Sequence, residues 1–451
     1  MIWKQMQVAG WGRSSTANVL ATRPERPRDI DAALSDARSG DPLAPRDLLA
    51  RGGGRAYGDA ALNDRGRIVL TTRLDRILAF DARSGEVVCE PGVTFADLLR
   101  TFVPRGFMAP ASPGTAFATV GGAVAADVHG KNHDRHGSFG DHVRWFELLL
   151  ADGTTQRVSA DTDGALFSAT IGGMGLTGVL RSICFRLLPG ATPNVAVRER
   201  RMASIDHFLT AFTEIRETAT FSVGWIDALA RGSSLGRGVL ETAEFSADEK
   251  VFKPRRARSV PVDLPPGVLN KWSIRAFNSA YYHRIPAGGR ERLRPFREFL
   301  YPLDSIHDWN RIYGRRGFYQ FQAVIPDAAA PAALRQMLEA IAAAGNASFL
   351  AVLKTLGRQG RGYLSFPMRG HTLALDFPRG PGAEDLLRRL EAMTIDHGGR
   401  VYLAKDAVLA PESLRAMYPD LPRFGEVLHR VDPDAVFTSD QARRLGLKPP
   451  R

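Results

Sequence analysis

Residues 113–143 read PGTAFATVGGAVAADVHGKNHDRHGSFGDHV. The first half of this stretch is rich in glycine and alanine, so a bulky ligand can approach its backbone closely. The second half contains four histidines, His129, His133, His136 and His142. A surface of small residues followed by titratable side chains suits a large planar cofactor beside a reacting polar substrate. We therefore expect the rest of the chain to be organised around this stretch.

Two other interpretations of the stretch compete with a cofactor wall. Paired glycines followed by small residues are also typical of tight helix packing. His129, His133 and His136 have the spacing of one helix face and could bind a metal ion. The glycines between these histidines disfavour a helix, and both cysteines of the chain lie far away in sequence. The sequence therefore predicts no metal site here.

Composition limits the class of protein. At 451 residues, with 44% hydrophobic and 24% charged residues, the chain is an ordinary folded protein of about two or three domains. Cys89 and Cys184 lie in apolar, strand-like settings and are predicted to be buried thiols rather than a disulfide. The amino terminus does not resemble a signal peptide, and no window is apolar enough to span a membrane. We expect a protein that is cytoplasmic or peripheral to a membrane.

The net charge of +12 is concentrated in residues 250–297. This segment contains twelve basic and two acidic residues, and aromatic and aliphatic residues are interspersed among them. Basic and aromatic residues together suit an anionic membrane surface or a nucleic acid. No nucleic-acid-binding motif appears elsewhere, which favours the membrane surface. The alternative is a solvated, mobile arginine-rich loop, because proline–glycine breaks at 265–267 and 286–289 interrupt the segment.

A glycine-rich turn, RGGGRAYGD at 51–59, follows a predicted strand at 48–50. Its backbone N–H groups could form a nest for phosphate, with Arg51 or Arg55 adding positive charge. The turn matches neither the Rossmann fingerprint nor a Walker sequence, and a glycine-rich hairpin is the alternative. A third glycine cluster lies at 172–178. Three such clusters within about 190 residues, an ordinary domain size, suggest an extended ligand such as FAD.

Hydrophobic periodicity and turn signals predict an α+β protein. Strand 318–325 would place Gln320 and Gln322 on one face, where they could hydrogen-bond sugar hydroxyls; an exposed polar face is the alternative. The predicted helices are 29–37, 95–102 with Thr94 as N-cap, one that begins at 166, and 331–344. The other predicted strands are 68–71, 77–80, 87–89, 143–150, 179–187, 221–226, 349–355 and 372–377.

The three glycine clusters together resemble those of the vanillyl-alcohol-oxidase type of FAD-binding oxidoreductase. The matching motifs are RGGGRAYGD at 51–59, PGT at 113–115 with TVGG at 119–122 and HGKNH at 129–133, and GGMGLTG at 172–178. Within that family the chain resembles the members that oxidise a polyprenyl-phosphate pentose, from GWGR at 10–13 to RRL at 443–445. Further matching motifs are WNR at 309–311, QFQ at 320–322, LSFP at 364–367, DFP at 376–378, YLAKD at 402–406 and SD at 439–440.

The resemblance implies a fold and a reaction. A two-part FAD-binding domain, residues 1–190 and 400–451, would enclose a substrate domain, residues 191–399, built on an antiparallel sheet. The reaction would oxidise the 2′-hydroxyl of a polyprenylphosphoryl-β-D-ribose to a ketone. A nicotinamide-dependent short-chain reductase would complete the epimerisation to an arabinose donor for the arabinan of the cell wall. One alternative is an FAD-dependent oxidase of a free sugar, alditol or aldonolactone; another is a non-enzymatic nucleic-acid-binding protein.

The resemblance also implies site residues. Lys405 would place positive charge beside the flavin and order the substrate, while His129 and Tyr57 are candidates for proton transfer and orientation. FAD would be bound non-covalently, because the first glycine-rich turn has Tyr57 and no histidine. Expected cofactor contacts are Arg51, Gly52, Gly53, Gly54, Arg55, Ala56, Tyr57, Gly58, Pro113, Gly114, Thr115, Thr119, Gly121, Gly122, Ala125, His129, Gly130, Asn132, Gly175, Thr177, Gly178, Val179, Tyr402 and Lys405.

Expected substrate contacts lie in the inserted domain. Some members of the family have a cysteine where this chain has Ala374 and an asparagine where it has Thr372, so compounds that bind that thiol covalently should form no bond here. No chemical role is assigned to either position, and catalysis should survive both changes. The expected substrate contacts are Trp225, Tyr301, Gln320, Gln322, Lys354, Phe366, Thr372 and Ala374.

Overall fold

The computed structural model of the protein describes residues 2–39, 45–248, 250–253, 257–265, 267–345 and 349–448. Arg255 and Arg256 of the predicted basic segment, and Pro266 of its first break, lie outside the described residues. Within the described ranges, no helix combines the length and the apolar character needed to cross a bilayer.

The amino-terminal unit contains two main sheets. Its strands are β1 (Lys4–Ala9), β2 (Thr16–Thr22), β3 (Leu48–Arg51), β4 (Arg67–Leu70), β5 (Ile77–Asp81), β6 (Glu86–Cys89), β7 (Phe107–Met108), β8 (Val143–Leu149), β9 (Thr155–Ser159), β10 (Val179–Arg186) and β11 (Leu188–Pro189). One sheet has the order β1-β2-β4-β3, with β4 parallel to both of its neighbours. The other is antiparallel, with the order β5-β6-β10-β8-β9, and β7 pairs with β11.

Side chains cap the first turns of three helices of this unit, at Thr94, Thr119 and Asp163. Thr94 accepts from the backbone N–H of Asp97 at 3.2 Å, and the Asp97 carboxylate accepts from the Thr94 N–H at 3.1 Å, so the predicted N-cap is confirmed. Cys89 and Cys184 are buried, unpaired thiols on neighbouring strands, also as predicted. The helices are α1 (Pro27–Ser39), α2 (Phe95–Phe102), α3 (Val120–Ala125), α4 (His133–His136) and α5 (Gly164–Thr170).

The second unit is built on one antiparallel sheet of eight strands. Its strands are β12 (Asn194–Met202), β13 (Phe221–Ile226), β14 (Gly238–Ser246), β16 (Arg290–Pro295), β18 (Phe318–Pro326), β19 (Ala351–Leu356), β20 (Gly370–Pro378) and β21 (Arg400–Val401), while β15 (Arg258–Ser259) pairs separately with β17 (Ile306–His307). The order across the sheet is β16-β12-β14-β13-β19-β20-β18-β21. An α+β chain with an antiparallel substrate sheet is therefore confirmed.

The helices at 330–344 and 383–396 cover one face of this sheet, whereas the helix at 271–283 and the amino-terminal unit lie on the other face. Tyr319, on the helix side of β18, donates its hydroxyl to Glu384 at 2.6 Å, whereas Gln320 and Gln322 point to the opposite face. Both glutamines are buried, so the alternative of an exposed polar face is wrong. The helices are α6 (Ile205–Ile215), α7 (Lys271–His283), α8 (Phe296–Leu300), α9 (Ala330–Ala344) and α10 (Ala383–Asp396).

Strand register brings distant motifs onto the inner face of the sheet. Gln322 is opposite Ala374, Ala374 is opposite Val352, and Val352 is opposite Trp225. Lys354, two residues beyond Val352, is opposite Thr372. Because side chains alternate along a strand, these residues lie in one layer that faces the amino-terminal unit.

The basic segment 250–297 is not one irregular loop. Helix α7 forms between the two proline–glycine breaks, and Asn270 caps it by accepting from the backbone N–H groups of Trp272 and Ser273 at 2.8 and 3.1 Å. The edge strand β16 follows the second break. The interpretation as a wholly mobile loop therefore needs correction, because capping and sheet pairing fix much of the segment.

The carboxyl-terminal segment packs against the amino-terminal unit through α11 (Pro411–Met417), α12 (Leu421–Val431) and α13 (Asp440–Arg444). The N–H of Leu48 donates to Val436 at 2.7 Å, and the N–H of Thr438 donates to Leu48 at 3.1 Å. Arg444 donates two hydrogen bonds to Asp59 at 2.8 Å and one to Asp406 at 2.7 Å. This guanidinium therefore joins α13, the glycine-rich turn and the Lys405 segment.

The short 3₁₀ helices in the described part of the chain are Thr71–Arg73, Val103–Arg105, Phe139–His142, Gly232–Ser234, Pro302–Ser305, Trp309–Tyr313 and Leu403–Lys405.

Replacing Arg444 by methionine should lower the free energy of unfolding by about 3 kcal/mol, because two buried carboxylates lose their cation. The matched control is Arg423→Met, whose side chain is 64% exposed and pairs with Asp420, and which should cost less than about 1 kcal/mol. Urea denaturation measures both values. Equal effects of the two substitutions would show that the Arg444 cluster is not a structural centre.

Candidate active site

A cavity of about 940 Å³ lies between the amino-terminal unit and the inner face of the eight-stranded sheet. This volume is at the upper end of the range for small-molecule sites. Its walls come from residues 50–61, 112–131, 268–312 and 402–405, together with the sheet. Of the predicted contacts, the cavity is lined by Arg51, Gly52, Gly53, Gly54, Arg55, Ala56, Tyr57, Pro113, Gly114, Thr115, Thr119, Gly122, Ala125, His129, Trp225, Gln320, Gln322, Lys354, Ala374, Tyr402 and Lys405.

The glycine-rich turn forms one wall of the cavity and needs its glycines. A Cβ atom on Gly52 would collide with Thr119, and one on Gly53 would collide with the backbone of Phe117. Gly54 has a φ of +63°, which glycine adopts without strain. The turn can therefore bring backbone N–H groups close to a bound ligand, as the phosphate nest requires.

The two arginines of this turn have different roles. Arg51 donates to the carbonyl oxygens of Ala61 and Ala9 at 2.7 and 2.8 Å, so it holds the turn in place. Arg55 stacks over Trp11, with its guanidinium carbon 4.2 Å from the ring centre, and its Nε is buried without a hydrogen-bond partner among the described residues. A buried donor of this kind needs an acceptor, and a phosphate oxygen of FAD would supply one.

The small residues of 113–126 form the adjoining wall. Thr119 caps α3 by accepting from the N–H of Gly122 at 3.3 Å, and Gly122 and Ala125 then face the cavity. Gly114 also lines the cavity, and a Cβ atom on it would meet no described atom within 4 Å, so space for a ligand lies beside it. The turn, the unpaired Arg55 donor and this thin wall fit a flavin dinucleotide.

Several predicted contacts lie behind the cavity wall. A Cβ on Gly121 would press on Pro91, and the Asn132 amide donates to the Pro110 carbonyl at 2.9 Å. The third glycine cluster contributes Met174 alone to the described lining, while Thr177 hydrogen-bonds Thr170 at 3.0 Å. The predicted contacts that do not line the cavity are Gly58, Gly121, Gly130, Asn132, Gly175, Thr177, Gly178, Val179, Tyr301, Phe366 and Thr372.

His129 is buried at the junction of the two units. The Gln322 amide nitrogen donates to His129 Nε2 at 3.0 Å, and Lys354 Nζ lies 3.3 Å from His129 Nδ1. Burial, with the positive charge of Lys354 second, holds the pKa of His129 well below its ordinary value. The ring is therefore neutral near pH 7, and both of its nitrogens already have partners.

The other histidines of the stretch serve the fold. His133 Nδ1 accepts from the Gly357 N–H at 2.9 Å, and His142 Nε2 is 2.7 Å from the His136 carbonyl. Helix α4 spans only 133–136, so His129 and His136 do not share a helix face. In the described part of the chain, no group of three potential ligand side chains could hold a metal ion.

Lys405 lies over the ring of Tyr57, with Nζ 3.9 Å from the ring centre. Burial lowers the pKa of Lys405, and the carboxylate of Asp376 opposes this shift. Asp376 is fully buried and accepts hydrogen bonds from the Gln320 amide and, at 3.0 Å, from the Tyr313 hydroxyl. Burial raises the pKa of Asp376 as well. The charge of Asp376 thus stabilises the Lys405 ammonium through space. Sequence reasoning did not assign this role to Asp376.

Tyr57 is also part of this network. Burial raises the pKa of the Tyr57 phenol far above its ordinary value, and the Gln320 side chain opposes this shift only in part. The phenol therefore keeps its proton near pH 7, so Tyr57 can orient a ligand but is unsuited to accept a proton. Non-covalent attachment of FAD, expected because the turn has Tyr57 and no histidine, stays a prediction.

Replacing Asp376 by asparagine should lower the pKa of Lys405 by about 1 to 3 units, because an uncompensated ammonium in a buried site loses its proton more readily. The chain has eight lysines, so the side-chain signals of ¹³C-labelled lysine can be followed during an NMR titration, with Lys405→Arg to assign the signal. Tyr313→Phe is the control, since it removes a hydrogen bond to Asp376 but keeps the charge, and its shift should be clearly smaller. An unchanged Lys405 titration in Asp376→Asn would contradict the pairing.

Comparison with known proteins agrees with this geometry. An FAD binding domain model matches residues 20–159, and a D-arabinono-1,4-lactone oxidase model matches residues 325–445. A mouse L-gulonolactone oxidase is 26% identical over 42% of the chain and 41% of its own length. An uncharacterised protein of Streptomyces coelicolor is 36% identical over 79% of the chain and 100% of its own length.

A relative with a named activity covers nearly the whole chain. The decaprenylphosphoryl-β-D-ribose oxidase of Mycolicibacterium smegmatis is 34% identical over an alignment of 455 positions, which covers 98% of the chain and 97% of that protein. Together with the FAD binding domain match, this identifies FAD as the cofactor. The chain is an FAD-dependent oxidoreductase acting on a CH–OH group and belongs to the decaprenylphosphoryl-β-D-ribose oxidase family.

Proposed function

We propose that the protein oxidises the 2′-hydroxyl of a polyprenylphosphoryl-β-D-ribose to the 2′-ketone. The observation that supports this substrate is the shape of the cavity. Beside Lys405, three polar side chains line a part of the cavity that suits a sugar. They belong to Gln320, Gln322 and Lys354. The cavity also has a part lined by apolar side chains, which an oxidase of a free sugar, alditol or aldonolactone would not need.

The apolar part lies between α7 and the sheet. From the α7 side, Val268, Leu269, Ile274 and Phe277 line it, and from the sheet Trp225, Val239 and Val352 do so. Trp225 is held by its indole N–H, which donates to the Phe349 carbonyl at 2.9 Å. Burial of isoprenoid carbons against these side chains would contribute about 0.8 kcal/mol per CH₂ group.

In the proposed reaction, bound FAD supplies the acceptor for the hydride that leaves C2′ of the ribose. The proton of the 2′-hydroxyl goes to the neutral amine of Lys354, which becomes an ammonium. Lys354 lines the cavity, and burial lowers its pKa to about 8. Among the described residues, His129 is its hydrogen-bond partner. Lys405 holds positive charge close to the glycine-rich turn, where the cofactor is expected.

Two partners are part of the proposal. The keto product requires a second enzyme, a nicotinamide-dependent reductase, to deliver hydride and complete the epimerisation. An anionic membrane surface suits the outer side of α7, where Trp272 is 67% exposed beside Lys271 and Arg275. The protein would then act at the periphery of a membrane, where its lipid-linked substrate is found.

Anaerobic mixing of the holoenzyme with polyprenylphosphoryl-β-D-ribose should bleach the visible flavin absorbance. Free ribose, an alditol and an aldonolactone serve as comparison substrates and should bleach it far more slowly at equal concentration, because they do not fill the apolar part. Rapid bleaching by an aldonolactone alone would favour the alternative oxidase.

The Lys354→Met variant should reduce its flavin at least about 100-fold more slowly, since it lacks the proton acceptor. In the unsubstituted enzyme the rate should rise as pH increases through about 8, because the deprotonated amine is the active form. Lys354→Arg keeps the charge but cannot lose its proton, so it should be as slow as Lys354→Met. If Lys354→Arg retains most of the rate, Lys354 contributes charge rather than proton transfer.

A further inference from the structure

We infer that the basic side chains at the sheet-edge end of the cavity bind the phosphate of the substrate's lipid carrier. These side chains are Arg292 and Arg294 on β16, Arg284 after α7, and Lys131, and all four line the cavity. The inference rests on the proposed function, which requires a phosphate ester but does not place it. We call this group the basic cluster.

The basic cluster contains more positive charge than the protein neutralises. Glu199, which has no exposed surface, pairs with Arg284 at 3.3 Å, with Arg292 at 2.9 Å, and with Arg290. Glu241 pairs with Arg294 at 3.3 Å and, at a longer 3.7 Å, with Arg284.

The three arginines of the cluster have two carboxylates, and Arg290, outside the cluster, also binds Glu199; the cluster therefore carries a net charge of at least about +1 before Lys131 is counted. Such an excess of positive charge at the wall of a cavity favours the binding of an anion.

Two buried donors of the cluster, the Nε atoms of Arg284 and Arg292, make no hydrogen bond within the described residues, but Arg292 Nε has Glu199 as an ion-pair partner at 2.9 Å. Arg284 Nε is buried and makes no hydrogen bond within the described residues, although both terminal nitrogens of this side chain are paired. The Arg284 guanidinium stacks on Tyr281 with its carbon 3.9 Å from the ring centre, so its orientation is fixed. An oxygen-rich anion in the cavity would satisfy this donor, as Arg–phosphate pairs do.

Lys131 connects the basic cluster to the sugar-sized part of the cavity. Its Nζ lies 4.1 Å from the centre of the Phe299 ring, and the guanidinium carbon of Arg294 lies 5.9 Å from the same ring. Burial, together with the positive charges of Arg294 and Lys354, lowers the pKa of Lys131 to about 7. The Lys131 ammonium is therefore repelled by charges of both the basic cluster and the sugar-sized part of the cavity. A phosphate next to the ribose would stabilise it.

The test uses the FAD-loaded protein and a polyprenyl monophosphate without sugar, with the uncharged polyprenol of equal length as its comparison. Arg294→Gln should weaken binding of the polyprenyl phosphate by about 10-fold or more and leave binding of the polyprenol unchanged. With the full glycolipid, KM should rise while kcat stays within about 2-fold, as expected when a contact is equally strong in the ground and transition states. Arg290→Gln is the control, because Arg290 shares β16 and binds Glu199 but does not line the cavity.

A second variant keeps the test informative if Arg294→Gln folds poorly. Glu241→Gln increases the net positive charge of the cluster, so it should bind the polyprenyl phosphate more tightly and the polyprenol equally well. An unchanged ratio of phosphate to alcohol affinity in both Arg294→Gln and Glu241→Gln would overturn the inference. Reduced binding to phosphatidylglycerol vesicles in Arg294→Gln, with the polyprenyl phosphate bound normally, would also overturn it, because the arginines would then serve the membrane surface.

Failure of the proposed function gives a different result. If the glycolipid does not reduce the flavin but polyprenyl phosphate binding still depends on Arg294, the phosphate site stands and the substrate sugar is wrong. If the glycolipid reduces the flavin at equal KM in Arg294→Gln and in the unsubstituted enzyme, the reaction stands and the phosphate site is wrong.

Discussion

The electrostatic coupling of Lys405 with Asp376 is the constraint on which the active centre depends. The buried Lys405 ammonium is stabilised through space by the charge of this carboxylate, which is itself fully buried in β20. Lys405 is held over Tyr57, and the Tyr57 N–H donates to the Ala404 carbonyl at 3.0 Å. The charge pair therefore forms only when the glycine-rich turn, the inner sheet and the carboxyl-terminal segment are all in place.

In the same sheet, side chains alternate along each strand, so that packing residues lie on one face and cavity-lining residues lie on the other. Along β18, Tyr319 and Phe321 face the helix layer, whereas Gln320 and Gln322 face the cavity, although all four are buried. A strand buried on both faces usually reads as a continuous apolar run. The two glutamines break that run because each meets a polar partner on the cavity side, Asp376 for Gln320 and the His129 ring for Gln322.

Local signals in the sequence predicted much of this fold. The Thr94 cap, the glycine-rich turn and the Gln320–Gln322 alternation depend on neighbours within a few residues, and the structure has them where they were expected. The roles of Asp376 and of the Arg55 Nε could not be predicted, because each depends on a partner or a cavity formed by distant segments. An acidic residue within the apolar strand 372–377 was the available signal for Asp376, since buried carboxylates are rare without a partner.

The placement of the two cysteines has a chemical consequence for the cavity. Ala374 occupies the floor opposite Gln322, while Cys89 and Cys184, the two cysteines of the sequence, lie within the strands of the other unit, where burial raises their thiol pKa values. No reactive thiolate therefore lies beside Gln322, where a sugar analogue would bind. Thiol-seeking electrophiles would find no thiolate to attack there, and the centre should tolerate oxidants that inactivate thiol-bearing enzymes.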